Sequence, residues 1–337
     1  MHFRTLATVD ASPSFDSATS FEYIVSQMIS DIMDRYSSDP INDEFIEFSD
    51  ETESLRHEYE ANVDCLKLPN GTVVELNDYH YYGKYSIQDG LVYQKNVGML
   101  HHEKRTKQSR KIKALPSYPR KKVYKSFEDY AENYRCYTLD ETHNAYGFYC
   151  NPNAMWDWYQ IGGRWPAMFL VKSDCVEYSL GERSWCNENA VLDAPEGYMW
   201  VVAARKKDIQ WETMKKWNTT KMKERFYHME AMFAAGQLDE NCFGHITSEG
   251  IASWDGYAYY KGETIEEYLK RCDIPSTWKY PISVCDIVDD SQWLSEYDFT
   301  SDCQLDKKPP EVWHSRIDEY VEGLEQNTIL VGIDYHM

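Results

Sequence analysis

The stretch FRTLATVDASPSFDSATSFEYIVSQMISDIMDRY (residues 3–36) determines the fold class, because it joins a strand pattern to a helix pattern. Residues 3–9 alternate apolar and polar side chains, which is typical of a half-buried strand. After a break at residues 12–14, apolar side chains recur every three or four positions from Phe21 to Met33, and this spacing predicts a helix that ends before Asp39-Pro40. A strand followed directly by such a helix opens many α+β folds.

Patterns farther along the chain extend this interpretation. They predict strands at Gly197–Ala204, Tyr257–Tyr260, Ile282–Val288 and Thr328–Asp334. We therefore expect an α+β fold with a mixed or antiparallel sheet that contains both terminal strands. Three helices are expected to flank this sheet: Phe21–Tyr36, Asp208–Gly236 and Pro310–Leu324.

A reversal of charge marks the region from residue 41 to residue 125. Residues 41–60 are densely acidic, whereas Lys and Arg side chains crowd residues 104–125. We predict that residues 1–337 form a single α+β domain and that residues 41–125 form a charge-segregated insertion or lobe within it. The basic run has three interpretations: a solvated loop, an internal partner for the acidic segment, or a phosphate-binding arm.

Composition and charge exclude several classes of protein. Hydrophobic residues make up 42% of the 337 residues and aromatic residues 15%, so the chain has ample material for a core. The formal net charge of −21 repels nucleic-acid backbones and favours basic partners, so direct binding of nucleic acid is not expected. No apolar run approaches the roughly 18–20 residues that span a bilayer, and we expect no membrane association.

The N-terminus and the cysteines indicate a cytoplasmic protein. The first ten residues lack the basic start and the long apolar stretch of a signal peptide. The nine cysteines are odd in number, scattered and without a Cys-x-x-Cys pair, which favours reduced thiols. Whether the chain forms a homo-oligomer stays open.

The densest local signal is YGFYCNPNAMWDWYQIGGRW (residues 146–165). Its Gly162-Gly163 pair lets the backbone bend or approach another group closely. Two interpretations stay open: a rigid aromatic pocket with polar contacts, or a core in which Asp157 pairs with Arg164. Closely spaced aromatic residues are more often core, which favours the second. The candidate ligand- or partner-binding residues are Trp156, Asp157, Trp158, Tyr159, Gln160, Arg164 and Trp165.

The motif NPNAMWDWYQIGGRW (residues 151–165) resembles the hallmark of an uncharacterised family found in tailed-phage genomes and bacterial mobile elements. Residues 2–6, 51–60, 203–211 and 328–336 are also similar to segments of that family, so the resemblance spans most of the chain. Where the family commonly has Lys before the first Trp of the motif, this chain has Met155. The resemblance implies a phage origin and transfers no catalytic residue.

Other polar residues are weaker candidates. Asp334 and His336 alternate on the last predicted strand and would meet His2 if the first and last strands pair, which would form a small acid–base cluster. His101-His102-Glu103 lacks the spacing of zinc ligands and adjoins the basic run, so no metal site is predicted. Neither a Gly-rich phosphate loop nor a Gly-x-Ser-x-Gly elbow is present, and we predict no catalytic residue and no cofactor.

These observations favour a phage accessory protein that acts by binding. Its expected partner is a host or anti-phage defence protein, for example one with a basic groove for nucleic acid that an acidic surface can occupy. One alternative is a binder of a nucleotide-like small ligand, or an enzyme acting on one, through the aromatic motif and Arg164. Another alternative is a structural component of the phage particle.

Overall fold

A computed structural model of the chain describes residues 1–10, 20–97, 103–165, 167–175, 177, 179–181, 193–240, 242, 244–253, 257–272, 278–299 and 305–337. The chain divides into two units. The first consists of Met1–Asn42 and Asn153–Met337, and the second of Asp43–Pro152. The second unit is thus inserted in the sequence of the first, which contains both terminal strands.

The elements follow in chain order. The first unit opens with β1 (His2–Val9) and α1 (Phe21–Asp34). The second unit contains β2 (Glu47–Asp50), α2 (Thr52–Glu60), β3 (Asn62–Lys67), β4 (Val73–Glu75), β5 (Tyr85–Gln88), β6 (Leu91–Val97), β7 (Glu103–Gln108), β8 (Lys113–Pro119), α3 (Phe127–Asp129, continued by a π-helix at Tyr130–Tyr134), β9 (Thr138–Asp140) and β10 (Ala145–Cys150).

The chain then returns to the first unit. Its elements there are β11 (Trp158–Ile161), β12 (Phe169–Lys172), β13 (Ser179–Gly181), β14 (Tyr198–Arg205), α4 (Trp211–Ala235), β15 (Gly244–Thr247), β16 (Gly250–Ser253), β17 (Tyr259–Tyr260), α5 (Ile265–Arg271), β18 (Asp286–Val288), β19 (Trp293–Ser295), β20 (Tyr297–Phe299), β21 (Leu305–Lys307), α6 (Pro310–Gly323) and β22 (Ile329–His336).

One mixed sheet organises the first unit. Its strands follow the order β12-β14-β22-β1-β18-β19, with β11 paired to β22 and β13 to β14. β1 runs parallel to β18 and antiparallel to β22. Because side chains alternate across a strand, the odd-numbered residues of β22 face one side of the sheet and the even-numbered residues face the other.

Helices cover both faces of this sheet. On one face, Val25, Ile29 and Met33 of α1 pack against Val331 and Ile333 of β22 in one hydrophobic cluster. The hydroxyl group of Ser20 caps α1 by accepting from the Tyr23 amide. The cluster on the other face contains side chains of α4, α6 and the sheet, among them Met214, Trp313, Ile317, Val321, Leu6 and Leu330. The predicted α+β fold, with both terminal strands in one mixed sheet between helices, is confirmed.

The predicted strand at Ile282–Val288 is correct only at its end, where β18 covers Asp286–Val288. Tyr280, Ile282 and Val284 are buried, and this burial explains the strand-like pattern. Pro281 has no amide hydrogen and cannot donate to a strand ladder, which favours irregular backbone at the start of the segment.

The basic run contributes ion pairs within the second unit. Arg120 Nε lies 2.7 Å from Glu75 Oε1, and Lys121 Nζ lies 2.7 Å from Glu60 Oε2. Among the three interpretations of the basic run, the Lys121–Glu60 contact supports the internal partner for the acidic segment, whereas Glu75 lies outside that segment. Acidic and basic side chains nearly balance in the second unit, whereas acidic ones outnumber basic ones almost two to one in the first. Most of the net negative charge therefore belongs to the first unit.

None of the helices in the described ranges combines the length and the apolar composition that a bilayer crossing requires.

The buried His314 of α6 generates a prediction about acid stability. It stacks on Trp278, and burial, with a smaller contribution from Lys307, lowers its pKa to about 4. An unfolded histidine has a pKa of about 6.5, so the unfolded state binds more protons between these two values and stability is lost as pH falls through them. Between about pH 7 and pH 5, we expect the wild type to lose about 1 kcal/mol more unfolding free energy than His314→Phe. Urea denaturation at the two pH values measures this difference, and equal losses would contradict the assignment.

Candidate functional site

β22 brings the two ends of the chain and the aromatic motif to one place. Its C-terminal half pairs with β1 at one edge and with β11 at the other. His2, His336 and Trp158 lie directly opposite one another in one row across the three strands, and Arg4, Asp334 and Gln160 occupy the next row on the same face. The prediction that His2 meets Asp334 and His336 through pairing of the terminal strands is confirmed.

Asp334 is the buried centre of this arrangement. Its side chain is fully buried, and its Oδ1 lies 2.9 Å from His2 Nδ1. Its Oδ2 accepts from the backbone N–H of Arg164 at 3.0 Å. These two contacts give each carboxyl oxygen of Asp334 a hydrogen-bond partner, and without such partners the group would be costly to bury.

Gly163 allows the loop to approach this carboxylate. Gly162 and Gly163 both have positive φ values, +77° and +54°. A Cβ atom at position 163 would overlap the side chain of Asp334. The Gly-Gly pair is therefore needed for both backbone conformation and close approach, as the sequence indicated.

His336 forms a second imidazole–carboxylate pair. Its Nδ1 lies 2.8 Å from Asp157 Oδ1, and this hydrogen bond is the main cause that lowers the pKa of Asp157. Asp157 therefore carries a negative charge at neutral pH. The ring centroids of His336 and His2 lie 5.2 Å apart in an edge-to-face arrangement.

The side chains around this cluster border a cavity of about 510 Å³. Trp158 remains 41% exposed, and its ring lies 5.7 Å from the ring of His2. The five residues that line the cavity, together with the buried Asp334, are called the terminal-strand site: His2, Asp157, Trp158, Arg164, Asp334 and His336.

The structure separates the candidate residues of the aromatic motif into three groups. Trp156 and Tyr159 pack on the α1 face of the sheet, and Trp156 Nε1 donates to the Met33 carbonyl at 2.8 Å. Asp157, Trp158 and Arg164 line the cavity. The expected pairing of Asp157 with Arg164 is wrong, because Asp157 bonds to His336 instead.

The remaining two motif residues, Gln160 and Trp165, are half-buried and are not among the side chains that line the cavity. The motif is thus partly core and partly site. Strand alternation produces this split, because Tyr159 and Trp158 project from opposite faces of β11.

The sequence patterns also missed further cavities among the described residues, two of which are large enough to consider. One of about 880 Å³ lies against α6, β19 and β20, and Met155, Trp293, Tyr297, Val312 and Trp313 contribute to its mainly apolar wall. The other, of about 290 Å³, lies against β1 and α4. Their walls combine residues that are distant in sequence, so no local motif marks them.

Within the ranges that the structure describes, no group of three or more His, Cys, Asp or Glu residues has an arrangement that could hold a metal ion. The sequence His101-His102 lies outside the described residues. The chemistry of the terminal-strand site is therefore that of an exposed indole ring, two carboxylates, two imidazoles and one guanidinium group.

Comparison with models of protein families, with curated proteins and with solved structures gives no match to this chain. The resemblance of residues 151–165 to a phage family stays a prediction, and the site itself is the basis for a functional proposal.

The close approach of Gly163 to Asp334 predicts that Gly163→Ala destabilises the protein by about 3 kcal/mol, because strain at positive φ adds to overlap with a buried side chain. Gly197 is the matched control, since it has a φ of +82° and no described atom lies within 4 Å of the place that a Cβ would occupy. We expect Gly197→Ala to cost only about 1 kcal/mol. Chemical denaturation of both variants measures the difference, and equal losses would mean that the contact with Asp334 is not tight.

Proposed function

We propose that the protein acts by binding a basic protein partner, and that the terminal-strand site receives an Arg or Lys side chain of that partner. The observation that supports this most directly is the exposed ring of Trp158 beside the ionised carboxylate of Asp157. An indole face attracts a cation, and a guanidinium group can stack on the ring while it donates to the carboxylate.

The charge of the site and of its surroundings agrees with a basic partner. The site contains two carboxylates and one guanidinium group, that of Arg164, so it is net negative when both imidazoles are neutral. The first unit as a whole has a large excess of acidic side chains. Such a field speeds the approach of a basic surface, while the few well-packed side chains of the site supply specificity.

The site is also held in place before a partner arrives. His336 fixes the Asp157 side chain, and His2 with the Arg164 amide fixes Asp334. Preorganised side chains lose less conformational entropy on binding, which favours affinity. An exposed Trp with a fixed carboxylate beside it is typical of the residues that dominate binding energy at interfaces.

The resemblance of the aromatic motif to a phage family leads us to propose where the partner is found. A phage-encoded protein of this kind would meet host or defence proteins in the cytoplasm of the infected cell. A defence protein with a basic groove for nucleic acid would present the Arg and Lys side chains that the site is suited to bind, and blocking that groove would inhibit it.

A second candidate function is acid–base chemistry on a small ligand, and the two imidazole–carboxylate pairs favour it. A carboxylate on Nδ1 holds an imidazole in one orientation and leaves Nε2 as the atom that can take or give a proton. Hydrolysis of a chromogenic phosphodiester that disappears in both His2→Ala and His336→Ala would favour this candidate over binding alone.

The main proposal predicts that Asp157→Asn and Trp158→Ala each weaken the binding of an Arg-rich peptide by about ten-fold or more. Tyr23→Ala is the control, because Tyr23 is an exposed aromatic residue of α1 away from the site. Isothermal titration calorimetry compares the three variants with the wild type, and a peptide with Glu in place of Arg should not bind.

The same variants identify the natural partner. When the wild type is immobilised and exposed to host lysate at low salt, we expect it to retain a protein that Tyr23→Ala also retains and that Asp157→Asn and Trp158→Ala lose. Retention of the same proteins by all four chains would show that the terminal-strand site is not the binding surface.

A further inference from the structure

The cavity of about 290 Å³ has a chemical character opposite to that of the terminal-strand site. It lies on the same face of the central sheet, because Arg4 follows His2 by two positions on β1. We call it the basic–aromatic cavity, because basic and aromatic side chains line much of its wall: Arg4, Trp200, Lys215, Lys221, Tyr257 and Trp278.

Arg4 is a half-buried residue whose guanidinium group has no anionic partner among the described residues. Its Nε is buried, and no described residue accepts a hydrogen bond from it. Its Nη2 donates to the Ala167 carbonyl over 3.4 Å, which is a long hydrogen bond. Burial lowers the pKa of Arg4 to about 10, which shows the cost of placing this charge here. A bound anion would offset that cost by supplying the missing acceptor.

Lys215 of α4 adds to the positive charge. Lys215 and Lys221 lie along the side of the helix that lines the cavity, where Met214 and Asn218 also contribute. Lys221 is paired with Asp193 and Glu224, whereas within the described part of the chain Lys215 and Arg4 take part in no ion pair. The described residues that line the cavity include no carboxylate. In a unit where acidic side chains greatly outnumber basic ones, this local excess of cations is the opposite of what composition predicts.

Aromatic rings provide the other part of the cavity wall, and their surroundings hold them in place. Trp200 Nε1 donates to the Asp193 carbonyl at 3.1 Å, and Trp278 stacks on His314. The guanidinium group of Arg225 lies 5.2 Å from the ring centroid of Tyr257. Fixed rings of this kind offer flat apolar surfaces on which a planar ligand can stack.

From these features we propose that the basic–aromatic cavity binds a nucleoside monophosphate. The phosphate contacts Arg4 and Lys215, and the base lies against the aromatic side chains. A guanidinium group donates in a fork that matches phosphate oxygens, and the cavity volume is close to the lower end of the range, about 300 Å³, that small-molecule sites occupy. This site is separate from the terminal-strand site, so the inference stands whether or not a protein partner is found.

Calorimetric titration of the full chain with AMP, CMP, GMP and UMP tests the inference. We expect at least one of them to bind with a Kd below about 100 μM, and the corresponding nucleoside to bind at least about ten-fold more weakly because it lacks the phosphate. Lys215→Gln should weaken the binding by about five-fold or more, since it removes one charge from the phosphate site. Lys223→Gln is the matched control, because Lys223 is an exposed residue of the same helix, and its Kd should stay that of the wild type.

Arg4→Met removes the guanidinium group that we assign to the phosphate and should abolish binding of the nucleotide. If that variant does not fold, the double variant Lys215→Gln, Lys221→Gln replaces it, and its Kd should rise further than that of Lys215→Gln alone. The inference is overturned if no nucleotide binds at about 5 mM, if nucleoside and nucleotide bind with equal Kd, or if Lys215→Gln and Lys223→Gln have the same Kd for the nucleotide.

Discussion

The pairing of β22 at both of its edges is the constraint on which the rest of the first unit depends. β1 lies along one edge, and β14 and β11 share the other. A strand that is fixed at both edges cannot slip by one residue without moving every side chain to the opposite face. Ile333 and Tyr335 are thereby committed to the core under α1, and Asp334 and His336 to the face that carries both proposed sites.

The two proposed sites differ because His2 and Arg4, which lie on the same face of β1, have different surroundings. His2 meets the carboxylate of Asp334, which a glycine loop approaches closely and a backbone amide satisfies. Arg4, about 7 Å farther along the strand, enters a cavity whose described wall has lysines and aromatic rings but no carboxylate. One strand face therefore presents a net negative aromatic site and a positive one, and these would select ligands of opposite charge.

Sequence patterns predicted those features that depend on residues close together in the chain, namely individual helices and strands and the faces of a strand. Apolar periodicity located β1, α1 and α6, and strand alternation predicted that Asp334 and His336 share a face. The predicted Asp157–Arg164 pair does not form. Arg164 follows two glycines with positive φ, and its backbone N–H donates to Asp334, whereas the side chain of Asp157 forms a hydrogen bond with His336. The basic–aromatic cavity had no local signal, since its wall combines β1, α4 and separate loops.

Hydrogen exchange of the β22 amides, followed by NMR, tests the central claim that this strand holds the site in place. If β22 is fixed at both edges, the amides from Leu330 to Tyr335 should belong to the slowest class in the protein and exchange only through global unfolding. Exchange of these amides within minutes at neutral pH, while the core of α1 stays protected, would show that the strand opens locally and would contradict a preorganised site.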